Sequence, residues 1–540
     1  MADVPAPQPE RPSARQEQHL RSNREVISQL VARRMTRRLR ALAEARLATF
    51  NIWLLIIPVL AAALLSVALG PDNSWDLRYY HLYAPYAYLH GRYLYDVGPA
   101  QWQGFLNPTA DLLFYGLISS KLNDTPRVVA FIMGAVHGIN AALVLAIATH
   151  VLRPLLRAER LTLRAAALLF GVSGAGFISL LGTTSNDLIA STCVLGALVG
   201  ILKAADRERE GKFVLAWPGL LAGAGLGLKY TSASFMPGLA LIALIVAVRR
   251  KRAFDFAVFG AGVMLAFLAV AGHHLFILWQ DFGNPVFPLL NNIFQSPFYE
   301  PESIRDARFL PRSLGQLIAY PFYWTTTNTY VVAELPFRDW RGAMAYIALA
   351  LAALMLAAST LFDRRRLDRL LAETRGLPLV FAFVIISYLM WTFGFGVYRY
   401  AVVLEMLTGV IVMGAIVWLA GEPRLRTAAA LLALMVAAAT TVHLDWGRGR
   451  FGNKYVEVSV PPLPHSSVVL VATWDPVAYF IPVAEPAQYV GIENNYLELS
   501  QNNELALRVR RLLTTPGRPK YVLSVDSYGR RELDALLHRF

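Results

Sequence analysis

The stretch Ser74-Trp75-Asp76-Leu77-Arg78-Tyr79-Tyr80-His81-Leu82-Tyr83 sets a carboxylate, a guanidinium, an imidazole and several aromatic rings just after the first long apolar run. A carboxylate so placed can take a proton from an incoming hydroxyl, which is general-base work for Asp76. Arg78 can face an anion, and Tyr79 and His81 can hold a polar substrate. Asn186, Asp187, Lys229, Arg399 and Glu405 recur near the ends of other apolar runs. An ionisable group costs roughly 2.5–3.5 kcal/mol at the centre of a span on insertion scales, so such residues are kept for pairing or for function. The competing reading makes Asp76 a solvated loop residue and the tyrosines interfacial anchors.

These side chains need a membrane frame to bring them together. Hydrophobic residues make up 56% of the 540 positions and charged ones 16%, the composition of an α-helical polytopic membrane protein. About eleven runs approach the roughly 20 residues that a helical span requires: 49–70, 127–151, 165–182, 187–203, 213–229, 232–248, 254–278, 340–362, 377–394, 401–420 and 428–442. With the N-terminus taken as cytoplasmic, the segments on that side carry the basic clusters Arg33 to Arg38, Arg153 to Arg164, Arg207 to Lys212, Arg249 to Arg252, Arg364 to Arg369, and Arg424 with Arg426. This repeated asymmetry follows the positive-inside rule and accounts for the net charge of +14 without nucleic acid. The chemistry then falls on the outer segments 71–126, 279–339 and 443–540 of a multi-pass inner-membrane protein.

Residues 1–48 read as a cytoplasmic basic tail whose 24–46 stretch is an amphipathic helix on anionic membrane lipids. In 71–126, Tyr79 to His90 and the Pro-led run Thr109 to Leu122 read as interfacial helices. The second outer segment opens on Asp281-Phe282-Gly283-Asn284-Pro285, a turn-rich loop whose amides, Asn284 among them, can bind hydroxyls. The tail 443–540 reads as a small extracytoplasmic α/β domain, with strands at 467–472, 488–492 and 521–525 and helices at 504–513 and 531–537. It is either a structural cap or an aid to acceptor selection. The lone Cys193 excludes an intrachain disulfide and a cysteine zinc cage.

A sugar carried on polyprenyl phosphate suits this layout. Its leaving group is a phosphate at the interface, which Lys229, Arg399 or Arg78 would stabilise while Asp76 deprotonates the acceptor. One displacement inverts the anomeric centre. No nucleotide fingerprint is needed, and neither a Rossmann motif nor a P-loop occurs.

Over about 49–442 the order of motifs resembles the GT-C superfamily of integral-membrane glycosyltransferases, including aminoarabinose-transferase and protein-mannosyltransferase-like enzymes. The motifs are Asp76 before an aromatic helix, the run led by Pro108, Asn186-Asp187, Gly223-Ala224-Gly225-Leu226-Gly227-Leu228-Lys229-Tyr230-Thr231, and Tyr398-Arg399-Tyr400. The resemblance implies Asp76 as the catalytic carboxylate, Lys229 and Arg399 at the lipid phosphate, a polyprenyl-phosphate sugar as donor and an envelope glycan, lipid or protein as acceptor. Substrate contacts would come from Tyr79, His81, Asn107, Asp187, Asn284 and Glu405. Leu77 follows Asp76 where many members carry a second acid, leaving one carboxylate where two would suit a divalent metal; no other cofactor is implied. Asn107 stands where some relatives have lysine, so one phosphate contact is either missing or supplied by Arg78 or Arg305. Two alternatives are an O-antigen ligase or polymerase with a diphosphate-linked donor, and a secondary transporter. A transporter should carry internal repeats and midplane charges, and neither is evident.

Overall fold

The computed structural model describes residues 52–53, 55–206, 211–327, 330–484, 487–525 and 534. The expected amphipathic helix at 24–46 and nearly all of the expected helix at 531–537 lie outside them. Met1–Ile57 and Pro58–Phe540 form two units, and every helix and strand after the first residues of α1 belongs to the second.

The described helices are α1 (Leu55–Leu69), α2 (Tyr83–Leu89), α3 (Leu112–Ile118), α4 (Pro126–Val151), α5 (Arg157–Val172), α6 (Ala175–Leu180), α7 (Asp187–Asp206) and α8 (Ala216–Leu228). After them come α9 (Met236–Arg249), α10 (Ala253–Phe282), α11 (Arg341–Phe362), α12 (Arg364–Glu373), α13 (Leu377–Gly394), α14 (Val402–Leu419), α15 (Pro423–Thr440) and α16 (Glu504–Thr514), with one-turn helices at Asn291–Phe294 and Leu314–Ala319. Among the described residues, eight are long and apolar enough to cross a membrane: α4, α7, α9 with its preceding turn, α10, α11, α13, α14 with its preceding turn, and α15.

All eleven expected runs fall on helices, but three differ from full spans. Helix α8, at 13 residues, is about 20 Å long and falls short of a bilayer core of about 30 Å; α1 is likewise short. The third expected run, 165–182, is divided between α5 and α6 at Ser173-Gly174. The division has a local cause. The amides of Ala175, Gly176 and Phe177 have no intrahelical partner at the start of α6, and they donate to carboxylates of Asp339 and Glu405 at 2.8–2.9 Å.

The bundle is arranged around the span that begins at Tyr398, of which 89% is buried, whereas α10, α11 and α15 are 17–22% buried and form the periphery. Close packing rests on missing side chains. A Cβ at Gly409 would lie 2.0 Å from the Ala167 carbonyl of α5, and one at Gly223 would lie 2.0 Å from the Val263 carbonyl of α10. Small residues at these crossings let the backbones approach, and that approach replaces hydrophobic driving force inside a membrane.

Three short parallel strands, β1 (Val468–Val471), β2 (Gln488–Gly491) and β3 (Lys520–Leu523), form a sheet in the order β2-β1-β3, with Val468 opposite both Gln488 and Lys520. The sheet does not stand apart from the loop 71–126. Val97 bridges Val490 at the edge of β2, and one buried cluster joins Tyr79, Tyr80, Tyr83 and Tyr93 to Phe282, Val469 and Tyr489. Of the tyrosines expected at the membrane interface, Tyr79, Tyr80, Tyr83 and Tyr93 are therefore core residues. Buried Arg92 and Asp96 pair at 2.8 Å, Asp96 accepts from the Tyr489 amide at 2.9 Å, and Arg92 donates to the Ala487 carbonyl at 2.6 Å.

Candidate active site

Asp76 lies in the first turn of a helical stretch fixed from below. The Asp72 carboxylate accepts from the Thr184 amide and hydroxyl, both at 2.7 Å, and from the Ser74 amide at 2.9 Å. The Ser74 hydroxyl then accepts from the Leu77 amide at 3.2 Å and caps the turn. The turn continues as a π-helical segment, Leu77–His81, a widening often found at functional sites.

Arg399 Nη1 donates to Asp76 Oδ2 at 2.6 Å, with the carboxylate side chain 27% exposed. Arg399 sits on a 3-10 turn held by the Tyr398 amide, which donates to the Val332 carbonyl at 2.7 Å, and by the Tyr398 ring stacked on Phe337. Its guanidinium carbon lies 5.2 Å from the ring centre of Tyr400 and 5.3 Å from that of Trp446. The Arg399 Nε and the Trp446 indole nitrogen are both buried without a hydrogen-bond partner among the described residues.

Lys229 approaches the same tyrosine from the end of α8. Its Nζ is 5.2 Å from the Tyr400 ring centre and 2.8 Å from Asp187 Oδ2 at the start of α7, and Ser185 donates to that same oxygen at 2.6 Å. Tyr400 thus has a cation near its ring from each of two elements, and each cation holds one carboxylate. Burial would raise the Asp76 carboxyl, but Arg399, then His81 and Lys229, outweigh it and hold the group below its usual range.

A second polar chain borders the first. His81 Nδ1 is 2.7 Å from Asp111 Oδ1, and the Asn186 amide donates to that oxygen at 3.0 Å, all three being buried. Arg78 has a buried Nε with no hydrogen-bond partner among the described residues. Asn107 donates to the Gly227 carbonyl at 2.7 Å, and its own oxygen accepts from the Thr109 amide and hydroxyl. That turn delays α3 until Leu112, three positions after the expected start.

Several expected site residues are held elsewhere. Asn284 is fully buried and ties its own loop, donating to the Leu289 carbonyl at 2.9 Å and accepting from the Val286 amide at 3.0 Å. Glu405 accepts from Gly176, Phe177 and the Tyr398 hydroxyl in the cluster at the start of α6, beside the Arg341–Asp339 pair. Arg305 donates to the Phe393 carbonyl. Tyr79 is buried, with its ring centre 6.1 Å from that of Trp75. In the other direction, Asp111 and Trp446 join the site without having been singled out in the sequence, and Tyr400, quoted there only within the Tyr398-Arg399-Tyr400 motif, joins it through its ring. Tyr400 was legible beside Arg399, whereas Trp446 is brought from beyond the last span.

Residues 105–333 match the family model described as Glycosyltransferase family 87. That segment includes Asn107, Asp111, Asp187 and Lys229, with Asp76, Arg399 and the C-terminal sheet outside it. No curated protein matches the chain. The apo crystal structure of the Archaeoglobus fulgidus oligosaccharyltransferase is similar at a TM-score of 0.42 and 14% identity, covering 82% of this chain and 65% of that one. The chain thus spans just under two thirds of that structure's length.

Proposed function

We propose that this chain is a multi-pass membrane glycosyltransferase that moves a sugar from a polyprenyl-phosphate donor to an envelope acceptor, on the outer face of the inner membrane and with Asp76 as general base. The observation that carries the reading is the pairing of Arg399 with Asp76 at 2.6 Å beside Lys229, with both cations against Tyr400. An acceptor hydroxyl attacks the anomeric carbon as its proton passes to Asp76. The bond from that carbon to the phosphate oxygen breaks, and the polyprenyl phosphate leaves with one more negative charge. Arg399 and Lys229 are suited to hold that developing charge in a partly water-excluded place. A single displacement of this kind inverts the sugar.

The paired carboxylate is a weak base, since a lowered pKa reduces its pull on a proton. Movement of Arg399 onto the donor phosphate would release Asp76 and let burial raise it, so the base would strengthen when the donor is in place. Arg399 is suited to this exchange because its planar fork matches both carboxylate and phosphate.

The test is transfer of radiolabelled sugar from a polyprenyl-phosphate donor by purified protein in proteoliposomes. Wild type should transfer, and Asp76→Asn should lower the rate by about 10²- to 10⁴-fold, the range typical of a lost general base. Undiminished transfer by Asp76→Asn would overturn the assigned role.

A further inference from the structure

On the carboxyl edge of the C-terminal sheet lies a cleft of about 940 Å³. Parallel strands end together there, and ligands of open α/β sheets bind at that edge. Trp474 follows β1 and Glu493 follows β2, while Tyr299 and Glu302 come from the second outer loop and Arg510 from α16. The volume lies in the range of about 300–1,000 Å³ usual for ligand sites.

The walls are fixed while the recognition groups are unspent. Asn494 accepts from the Tyr496 and Leu497 amides at 3.1 and 2.6 Å and donates to the Gly491 carbonyl at 3.0 Å, which locks the turn after β2. Asn495 accepts from the Trp102 amide at 3.2 Å and joins that turn to the first outer loop. Arg510 donates to the Leu499 carbonyl at 2.7 Å. By contrast, Trp474 is 48% exposed, and the side chains of Glu302 and Glu493 make no hydrogen bond or ion pair among the described residues.

An exposed indole beside uncommitted carboxylates matches the two sides of a sugar ring. Its C–H face lies against an aromatic plane, and its hydroxyls need acceptors. The cleft backs onto the buried cluster that holds the Asp76 turn: Ile492, Tyr496 and Leu497 line it and share that cluster with Tyr79. Tyr79 in turn shares a helical stretch with Trp75 and Asp76.

We propose that this cleft binds the acceptor and that the acceptor is an oligosaccharide, laid over Trp474 and hydrogen-bonded by Glu302 and Glu493. The assignment rests on the glycosyl-transfer reading of the Asp76 site. It is tested with the full chain in lipid nanodiscs on an array of bacterial envelope oligosaccharides, with a panel of cationic peptides alongside. Wild type and Asp76→Asn should bind the same oligosaccharides. Trp474→Ala and the near-isosteric Glu493→Gln should each weaken that binding at least tenfold while melting within a few degrees of wild type. In transfer assays with a bound oligosaccharide, Trp474→Ala should raise the acceptor KM about tenfold and leave the donor KM unchanged. Absence of oligosaccharide binding by wild type, binding unaltered in both cleft variants, or binding confined to the peptides would overturn the proposal. Binding that depends on the cleft but comes with no transfer from the lipid donor would overturn the transferase reading alone.

Discussion

Asp76 and Arg399 lie 323 positions apart in the chain and 2.6 Å apart in space, and that pairing sets the expected acid behaviour. The carboxyl is held below its ordinary value of about 3.9. The contribution of the ion pair is therefore complete above that value and is lost as pH falls through the lower, folded pKa. The acid limb of kcat/KM should lie below about pH 4 in wild type. In Arg399→Gln, burial is no longer opposed by the nearest cation, so the limb should move to higher pH, and the donor KM should rise by about tenfold or more through the loss of a charged contact. Arg399→Lys should recover only part of the donor KM, since a point charge lacks the fork. A pH profile and donor KM unaltered in Arg399→Gln would remove Arg399 from the site.

Elements position these residues through close backbone approach. Gly219, Gly223 and Gly227 of α8 face α10, and a Cβ at Gly223 would meet the Val263 carbonyl at 2.0 Å. Gly223→Val should therefore force α8 from α10, lower the melting temperature in detergent and impair transfer, at a cost of about 1–3 kcal/mol or more. A melting curve that matches wild type would show that the crossing tolerates bulk. The long apolar helices were legible in the sequence because length and apolarity alone define them. The break in the third run was not, because the carboxylates that satisfy the α6 amides come from Asp339 and Glu405, more than 160 positions onward. Nor was the separation of Glu405 from Arg399. Six residues carry a helix about 240° round its axis, so neighbours along the span face different partners.

At the scale of the whole molecule, the loop 71–126 and the C-terminal sheet form one core. The tyrosines of 79–93 read as interfacial anchors in the sequence because their partners lie some 390 positions later, where Asp96 meets the Tyr489 amide. The strands themselves were legible, with Val468–Val471 and Gln488–Gly491 inside their expected ranges and Lys520–Leu523 one residue early. Arg92→Ala strips a buried carboxylate of its cation and should cost about 3–5 kcal/mol. Limited proteolysis should then cut between residues 443 and 525 in the variant but not in wild type, and equal resistance would show that the loop and sheet hold together without the pair. The most direct measurement is of sugar transfer from a polyprenyl-phosphate donor in proteoliposomes, comparing wild type with Asp76→Asn at matched folded content. A loss of about 10²-fold or more with the donor KM little changed is the expected result. Transfer by Asp76→Asn at the wild-type rate would contradict the assignment of Asp76 as the base.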